Sequence, residues 1–160
     1  MTLTRVLTLE EKAANFATFQ HIHEVQKRLV IAITLIMERM MLHDLTKMSD
    51  PEVKQFTDAV DRLGTAAYGS EEYKQFLRDL HPALTHHYAS ASHHPEHYPD
   101  GINGMNLIDL LEMLCDWMAS VGRSKDGNIT RSFEVNEARF NISPQLARIM
   151  KNTVSLLTPR

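Results

Sequence analysis

Cysteine is almost missing from this sequence: Cys115 is the only one in 160 residues. An internal disulfide is therefore impossible. With no cleavable signal pattern at the N-terminus, the expected setting is a reducing one, the cytoplasm. Glycine and proline number six each, too few for a disordered tract, a linker or a repeat array. Runs of Lys or Arg are absent and the formal net charge is -3. Duplex nucleic acid is thus excluded as the main partner, because it demands a basic stripe; a small anionic ligand, which needs only a few local cations, is not. The longest apolar run, Leu29 to Met37, is interrupted by Thr34 and falls short of the roughly 20 residues that cross a bilayer. No phosphate-cradling glycine loop, nucleophile elbow or zinc-finger spacing occurs.

What remains is helical. Thr8 and Glu11 form a capping box that opens a helix. Asp50-Pro51 reads as a cap followed by a first-turn proline, with Gly64 as the stop. Ser70 caps a helix that begins Glu71-Glu72-Tyr73, and Pro82 kinks or restarts it. Pro95 to Gly104 holds two prolines and two glycines and is expected to be a loop. Met105 to Val121 is the clearest helix, stopping at Gly122, and Lys125-Asp126-Gly127-Asn128 is a turn. Ser143-Pro144 starts a last helix that runs to about Leu157. The hydrophobic fraction of 43% supports a substantial core, and the expectation is one all-α domain over residues 1–160. The stripe Leu146, Ile149, Met150, Val154 and Leu157 is expected to be core, with a homodimer face as the alternative. Met37, Met40 and Met41 read as core filler, and Cys115 as a buried, inert thiol.

The chain is rich in histidine. Nine lie between His21 and His97, and an acid, Asp116, follows on an apolar segment. Histidine is the commonest metal-binding side chain, so this pattern points to divalent ions. In His43-Asp44-Leu45-Thr46-Lys47, the neighbouring His and Asp can reach one centre and the carboxylate can bridge two ions. Lys47, at i+4 from His43, can face the same cavity and hold an anionic oxygen. His86-His87 and His93-His94 are in phase at a spacing of seven, two turns of one helix, so one member of each pair can point inward. Asp109, Glu112 and Asp116 border the apolar side formed by Leu107, Leu110, Leu111, Leu114 and Trp117, and such carboxylates need partners. Asp116 is the expected ligand and Glu112 a supporting group. Arg123, seven beyond Asp116, is placed to hold a phosphate or to answer the helix dipole. His23 precedes His43 by twenty residues, about 30 Å along a continuous helix. It can share the site only if the chain turns within Val30 to Glu38.

These residues resemble the HD superfamily of helical metal-dependent phosphohydrolases, whose ligand series is similar to His23, His43-Asp44, a histidine from each later pair and Asp116. The His-Asp-x-x-Lys form is most similar to the dinuclear branch, which includes the HD-GYP phosphodiesterases and the inositol-oxygenase-like diiron enzymes. The chain also resembles an uncharacterised family of small HD-like proteins of bacteria and phages. The segments that carry this are HIHEVQ (21–26), HDLTK (43–47), PEV (51–53), YGSEEY (68–73), HHYASASHHPEHY (86–98), GINGMNLIDLLEMLCDW (101–117) and RFNISPQL (139–146). The resemblance implies an HD-like helical bundle with two divalent ions from among Mn, Fe, Co, Ni, Zn and Mg. The implied ligands are His23, His43, Asp44, His86 or His87, His93 or His94, and Asp116. The implied reaction is attack of an activated water on a nucleotide or other small phosphate ester, with Asp44, Lys47, Arg123 and Glu112 in the chemistry. A diiron oxygenase of a small organic substrate and a non-catalytic nucleotide-binding module are the alternatives. A phage origin would make the expected location the host cytoplasm.

Overall fold

The structure, a computed structural model, describes residues 5–63, 70–123 and 127–158, and of residues 60–63 the backbone alone. Among these residues the regular structure is entirely helical, with no strand. Two compact units, Met1–Arg39 and Met40–Arg160, can be described separately.

Helix α1 (Leu9–Leu42) starts at the expected capping box: the Glu11 amide donates to Thr8 Oγ1 at 3.2 Å, and the Thr8 amide to Glu11 Oε2 at 2.9 Å. No glycine or proline occurs before Leu42, and α1 runs unbroken for 34 residues. The turn within Val30 to Glu38 is therefore absent. No residue of α1 is buried, so Met37, Met40 and Met41 are exposed rather than core filler.

In the second unit, a short 3₁₀ turn (Leu45–Met48) follows Asp44, whose φ of 58° lies in the left-handed region. Aspartate tolerates that region better than most residues, at some conformational cost. The next helix opens later than Asp50-Pro51 suggests. The Ser49 carbonyl accepts from both the Glu52 and Val53 amides, and α2 spans Val53–Leu63. The expected stop at Gly64 and the Tyr68-Gly69 junction lie outside the described residues. Ser70 caps α3 (Glu71–Asp79) by accepting from the Tyr73 amide, and Pro82 falls in the first turn of α4 (His81–Ser90), restarting the helix rather than kinking it. Ala59, Phe76, Leu80 and Ala83 form a small apolar core where α3 and α4 meet.

Asn106 caps α5 (Leu107–Gly122) in a full capping box with Asp109. Asn128 caps α6 (Ile129–Arg139), and Ser143 caps α7 (Pro144–Leu157). Lys125 and Asp126 of the expected turn are outside the described residues. A second core joins α5, α6 and α7 through Met113, Leu114, Trp117, Phe133, Ala147 and Met150. Trp117 stands edge-on to Phe133 with ring centroids 5.8 Å apart. Of the α7 stripe, Met150 is in this core, Leu146 and Val154 pack on it, and Ile149 and Leu157 are exposed. Leu107 also differs from expectation: as the first residue after the cap it is exposed, and Met113 takes its place in the buried stripe. No helix among the described residues is long and apolar enough to cross a membrane.

Candidate metal centre

Three segments of the second unit bring the site together: the end of α1 with the turn after it, the end of α4 with the loop after it, and the middle of α5. α4 stops at Ser90, because Ala91 turns to extended backbone (φ -105°, ψ 92°). His93-His94 thus sit on a loop, and the shared helical face expected from their spacing does not exist. The loop does the converging instead. His87 (1% exposed) and His93 (3%) are both buried, His94 is partly buried, and the exposed member of the first pair is His86. Inward orientation is therefore not one per pair.

The ligand-type atoms form three groups, each within 4.8 Å: Asp44 with His87, His93 and His94; His43 with Asp44 and Asp116; and His43 with His93 and Glu112. Asp44 belongs to the first two. Its Oδ1 lies 3.2 Å from His87 Nε2 and 3.5 Å from His93 Nε2, and its Oδ2 lies 3.6 Å from His43 Nε2. His87 Nε2 is 3.2 Å from His94 Nε2, and His43 Nε2 is 3.8 Å from Asp116 Oδ1. The separations in the first group, 3.2–3.5 Å, match the ligand–ligand edges of about 3.0–3.5 Å that follow from metal–ligand bonds of about 2.1 Å, and those in the His43 group, 3.6 and 3.8 Å, are longer. Asp44 Oδ1 and His93 Nε2 are buried and have no hydrogen-bond partner among the described residues. Leaving two such polar atoms buried and unsatisfied costs roughly 1–3 kcal/mol each, and a cation between them removes that cost. By this test the residues present fit divalent ions.

The other ring nitrogens explain the inward aim. Glu112 Oε1 lies 2.9 Å from His43 Nδ1 and 3.2 Å from His93 Nδ1. A carboxylate only accepts, so both Nδ1 atoms carry the hydrogen, and each Nε2 faces the centre with a lone pair whenever its ring is neutral. The third group is thus the back of the site, with Glu112 as the support expected for it.

Charge is unevenly placed. Burial opposes the charge on Asp44, but His87, His93 and Lys47 around it prevail and hold its carboxyl far below the usual carboxylate range. Burial also disfavours a charged His93, yet Asp44 and Glu112 beside it raise it to about 9. His94 is pushed down to about 2, first by burial and then by the charges of His93, His87 and Lys47. Lys47 Nζ is 2.6 Å from Asp44 Oδ2 and stands over the Phe56 ring, 5.2 Å from its centroid.

The remaining predicted residues fall as follows. Arg123 is exposed at the end of α5, where it donates to Ser120 Oγ at 3.3 Å, and that hydroxyl is 3.5 Å from Asp116 Oδ1. His23 is exposed on α1 and stands in none of the three groups. Asp109 is fully buried but serves the scaffold: it accepts from Ser92 Oγ (2.9 Å), Tyr98 Oη (2.7 Å) and the Asn106 amide (3.1 Å). Gly104 makes this possible, since a Cβ there would lie 2.7 Å from Tyr98 Cβ. His97 donates from Nδ1 to the Tyr88 carbonyl at 2.8 Å, a scaffold role. Cys115 is exposed rather than buried, and partial desolvation with nearby Glu112 raises its pKa. Glu52 was not anticipated. It is fully buried and contacts both His86 and His87. A glutamate just ahead of a helix reads in sequence as an ordinary answer to the dipole, so its only signal was its place in the Pro-Glu-Val segment.

A profile described as a family of unknown function, DUF5662, matches residues 10–156. The chain belongs to that family. Neither a curated protein nor a solved structure matches it.

Proposed function

We propose that this DUF5662 chain is a divalent-metal-dependent phosphohydrolase acting on a nucleotide or similar small phosphate ester. One observation carries the reading: Asp44, His87, His93 and His94 converge with Asp44 Oδ1 and His93 Nε2 buried and unsatisfied, and Asp44 is shared with a second group, His43 and Asp116. Ions held there would supply a water acidified towards neutrality and a Lewis acid for a phosphoryl oxygen. Three imidazoles to one carboxylate in the first group favour a transition ion over magnesium.

The chain's own groups fill the remaining roles. Asp44, held ionised by its neighbours and a member of both groups, would be the ligand common to the two ion positions. Lys47, half-buried beside Asp44, is the cation placed to hold a phosphoryl oxygen. Glu112 keeps His43 and His93 turned inward. Arg123 is more distant, reaching Asp116 only through Ser120, and on the exposed end of α5 it meets the outer part of a substrate. The resemblance of His43-Asp44-x-x-Lys47 to the dinuclear HD enzymes supports the same reaction class.

The test is elemental analysis of the full chain purified without added metal, beside Asp44→Ala, followed by a screen of nucleotides and phosphate esters with the bound metal. Close to two ions per chain, lost in Asp44→Ala, together with metal-dependent phosphate release, is the expected result. Iron with oxygen consumption on an organic substrate would replace hydrolysis by oxygenation. No ion in either protein after soaking in manganese or zinc, with nucleotide still bound, would leave a binding module.

A further inference from the structure

We propose that Glu52 is the positioning residue that fixes the ring of His87, and that it serves one of the two ion positions and not the other. The ion-binding half of this inference rests on the two-position centre proposed above; the ring-orientation half does not.

Glu52 has 0% exposure, and among the described residues its ion pairs are with His86 and His87 alone. A buried carboxylate is costly unless its lone pairs are used, and here each oxygen is. Oε1 accepts from His86 Nδ1 at 2.7 Å; Oε2 accepts from His87 Nδ1 at 3.1 Å and from Thr46 Oγ1 at 3.0 Å. Thr46 follows Asp44 by two residues, so the Thr46–Glu52–His87 triangle ties α4 to the turn that presents Asp44. With Nδ1 carrying the hydrogen, His87 Nε2 keeps its lone pair towards Asp44 Oδ1 (3.2 Å) and His94 Nε2 (3.2 Å).

The two buried-side glutamates divide the work unequally. Glu112 holds His43 and His93, one from each ion group, whereas of the residues in those groups Glu52 holds His87 alone, a member of the Asp44, His87, His93 and His94 group. Losing Glu52 therefore frees the ring of His87 and touches neither His43 nor Asp116, while Asp44 keeps its own tie to Lys47 at 2.6 Å. The two conservative substitutions differ as well. In Glu52→Gln the amide oxygen fits the Oε2 position, where Thr46 and His87 both donate, and the amide nitrogen faces half-exposed His86, whose ring can re-orient. Glu52→Leu keeps the bulk and removes the acceptor.

The experiment joins nitrogen-15 NMR of the histidine rings with calorimetric titration of manganese or zinc into the full chain. In metal-free wild type, His87 Nδ1 carries a proton. In Glu52→Leu one ion position weakens about 10–100-fold, the usual effect of removing a carboxylate behind a ligating histidine, and the other holds within about twofold. Glu52→Gln stays close to wild type. An unprotonated His87 Nδ1 in wild type overturns the proposal, as does a Glu52→Leu protein that keeps both affinities or loses both equally. Should Glu52→Leu fail to fold, the wild-type ring decides. If wild type binds no ion at all, the metal centre falls, and the protonated Nδ1 of His87 still tests the ring-orientation half.

Discussion

Filling the first ion group must displace a proton from His93, because its neighbours hold that ring charged. Asp44 and Glu112 raise it to about 9. At pH 7 the protonated ring then outnumbers the neutral ring by about 100 to 1. An ion needs the Nε2 lone pair, so binding at pH 7 drives off close to one proton from His93. His94, pushed down to about 2, is neutral and has none to give; Asp44 is already ionised. The displacement weakens ion affinity at pH 7 by about 100-fold, or roughly 3 kcal/mol, relative to pH above 9. The sign is fixed: affinity rises about tenfold per pH unit up to about 9 and then levels. Isothermal titration of zinc or manganese in buffers of different ionisation enthalpy reads the proton count directly from the slope. A count near zero at pH 7, or an affinity flat between pH 6 and pH 8, would refute the assignment of His93 as a charged group that becomes a ligand.

The same three groups set the stability of the metal-free chain. His93 is raised, so its contribution is whole below about 6.5 and disappears as pH climbs to about 9; His94 and Asp44 are lowered, so theirs are lost as pH falls below about 6.5 and about 4 respectively. Thermal unfolding of metal-free protein should peak near pH 6–7, and a Tm that keeps rising to pH 9 would contradict this. Asp109→Asn exchanges an acceptor-only group for one that meets Ser92, Tyr98 and the Asn106 amide with a mismatched donor, costing about 2–3 kcal/mol in urea unfolding. Ser92 adjoins His93, so ion affinity should fall as well; unchanged stability would remove Asp109 from the scaffold. Lys47→Ala should keep its ions and lose about 100-fold in phosphate release, and full activity would take Lys47 out of the reaction.

The helical class and most helix starts were legible because they are written in local chemistry. Thr8 with Glu11, Ser70, and Ser143-Pro144 each satisfy amides one turn ahead, and each opens a helix where expected. Starts that depend on more than the next turn were misplaced. Asp50-Pro51 has the composition of a cap, but the Ser49 carbonyl takes the amides of Glu52 and Val53, and the helix waits until Val53. The stripe of α5 was read one turn too early for a similar reason. Leu107 is apolar and in phase, yet a first-turn position beside the Asn106 cap meets solvent, and Met113 is the residue that reaches Trp117 and Phe133.

The site was legible in its residue types and not in its geometry, and the histidine pairs show why. A spacing of seven is evidence of a shared face only while the helix lasts, and α4 ends at Ser90, before the second pair. What brings His93 and His94 to His87 is the loop held by Ser92 on Asp109, a contact between segments far apart in sequence. The same holds for the two glutamates. Glu112 stands out in sequence because it lies on the Asp116 helix, one turn before it. Glu52 does not, because nothing near it in sequence marks it as different from a helix-start acid. Its partner His87 lies thirty-five residues away. Candidate ligands announce themselves by type, since histidine and aspartate are the side chains that a divalent ion would take. The groups that aim the ligands are ordinary carboxylates, distinguished only by burial and by which ring nitrogen they face. That is why the resemblance could suggest Asp44 and His87, and why only the folded chain shows Glu52 behind them.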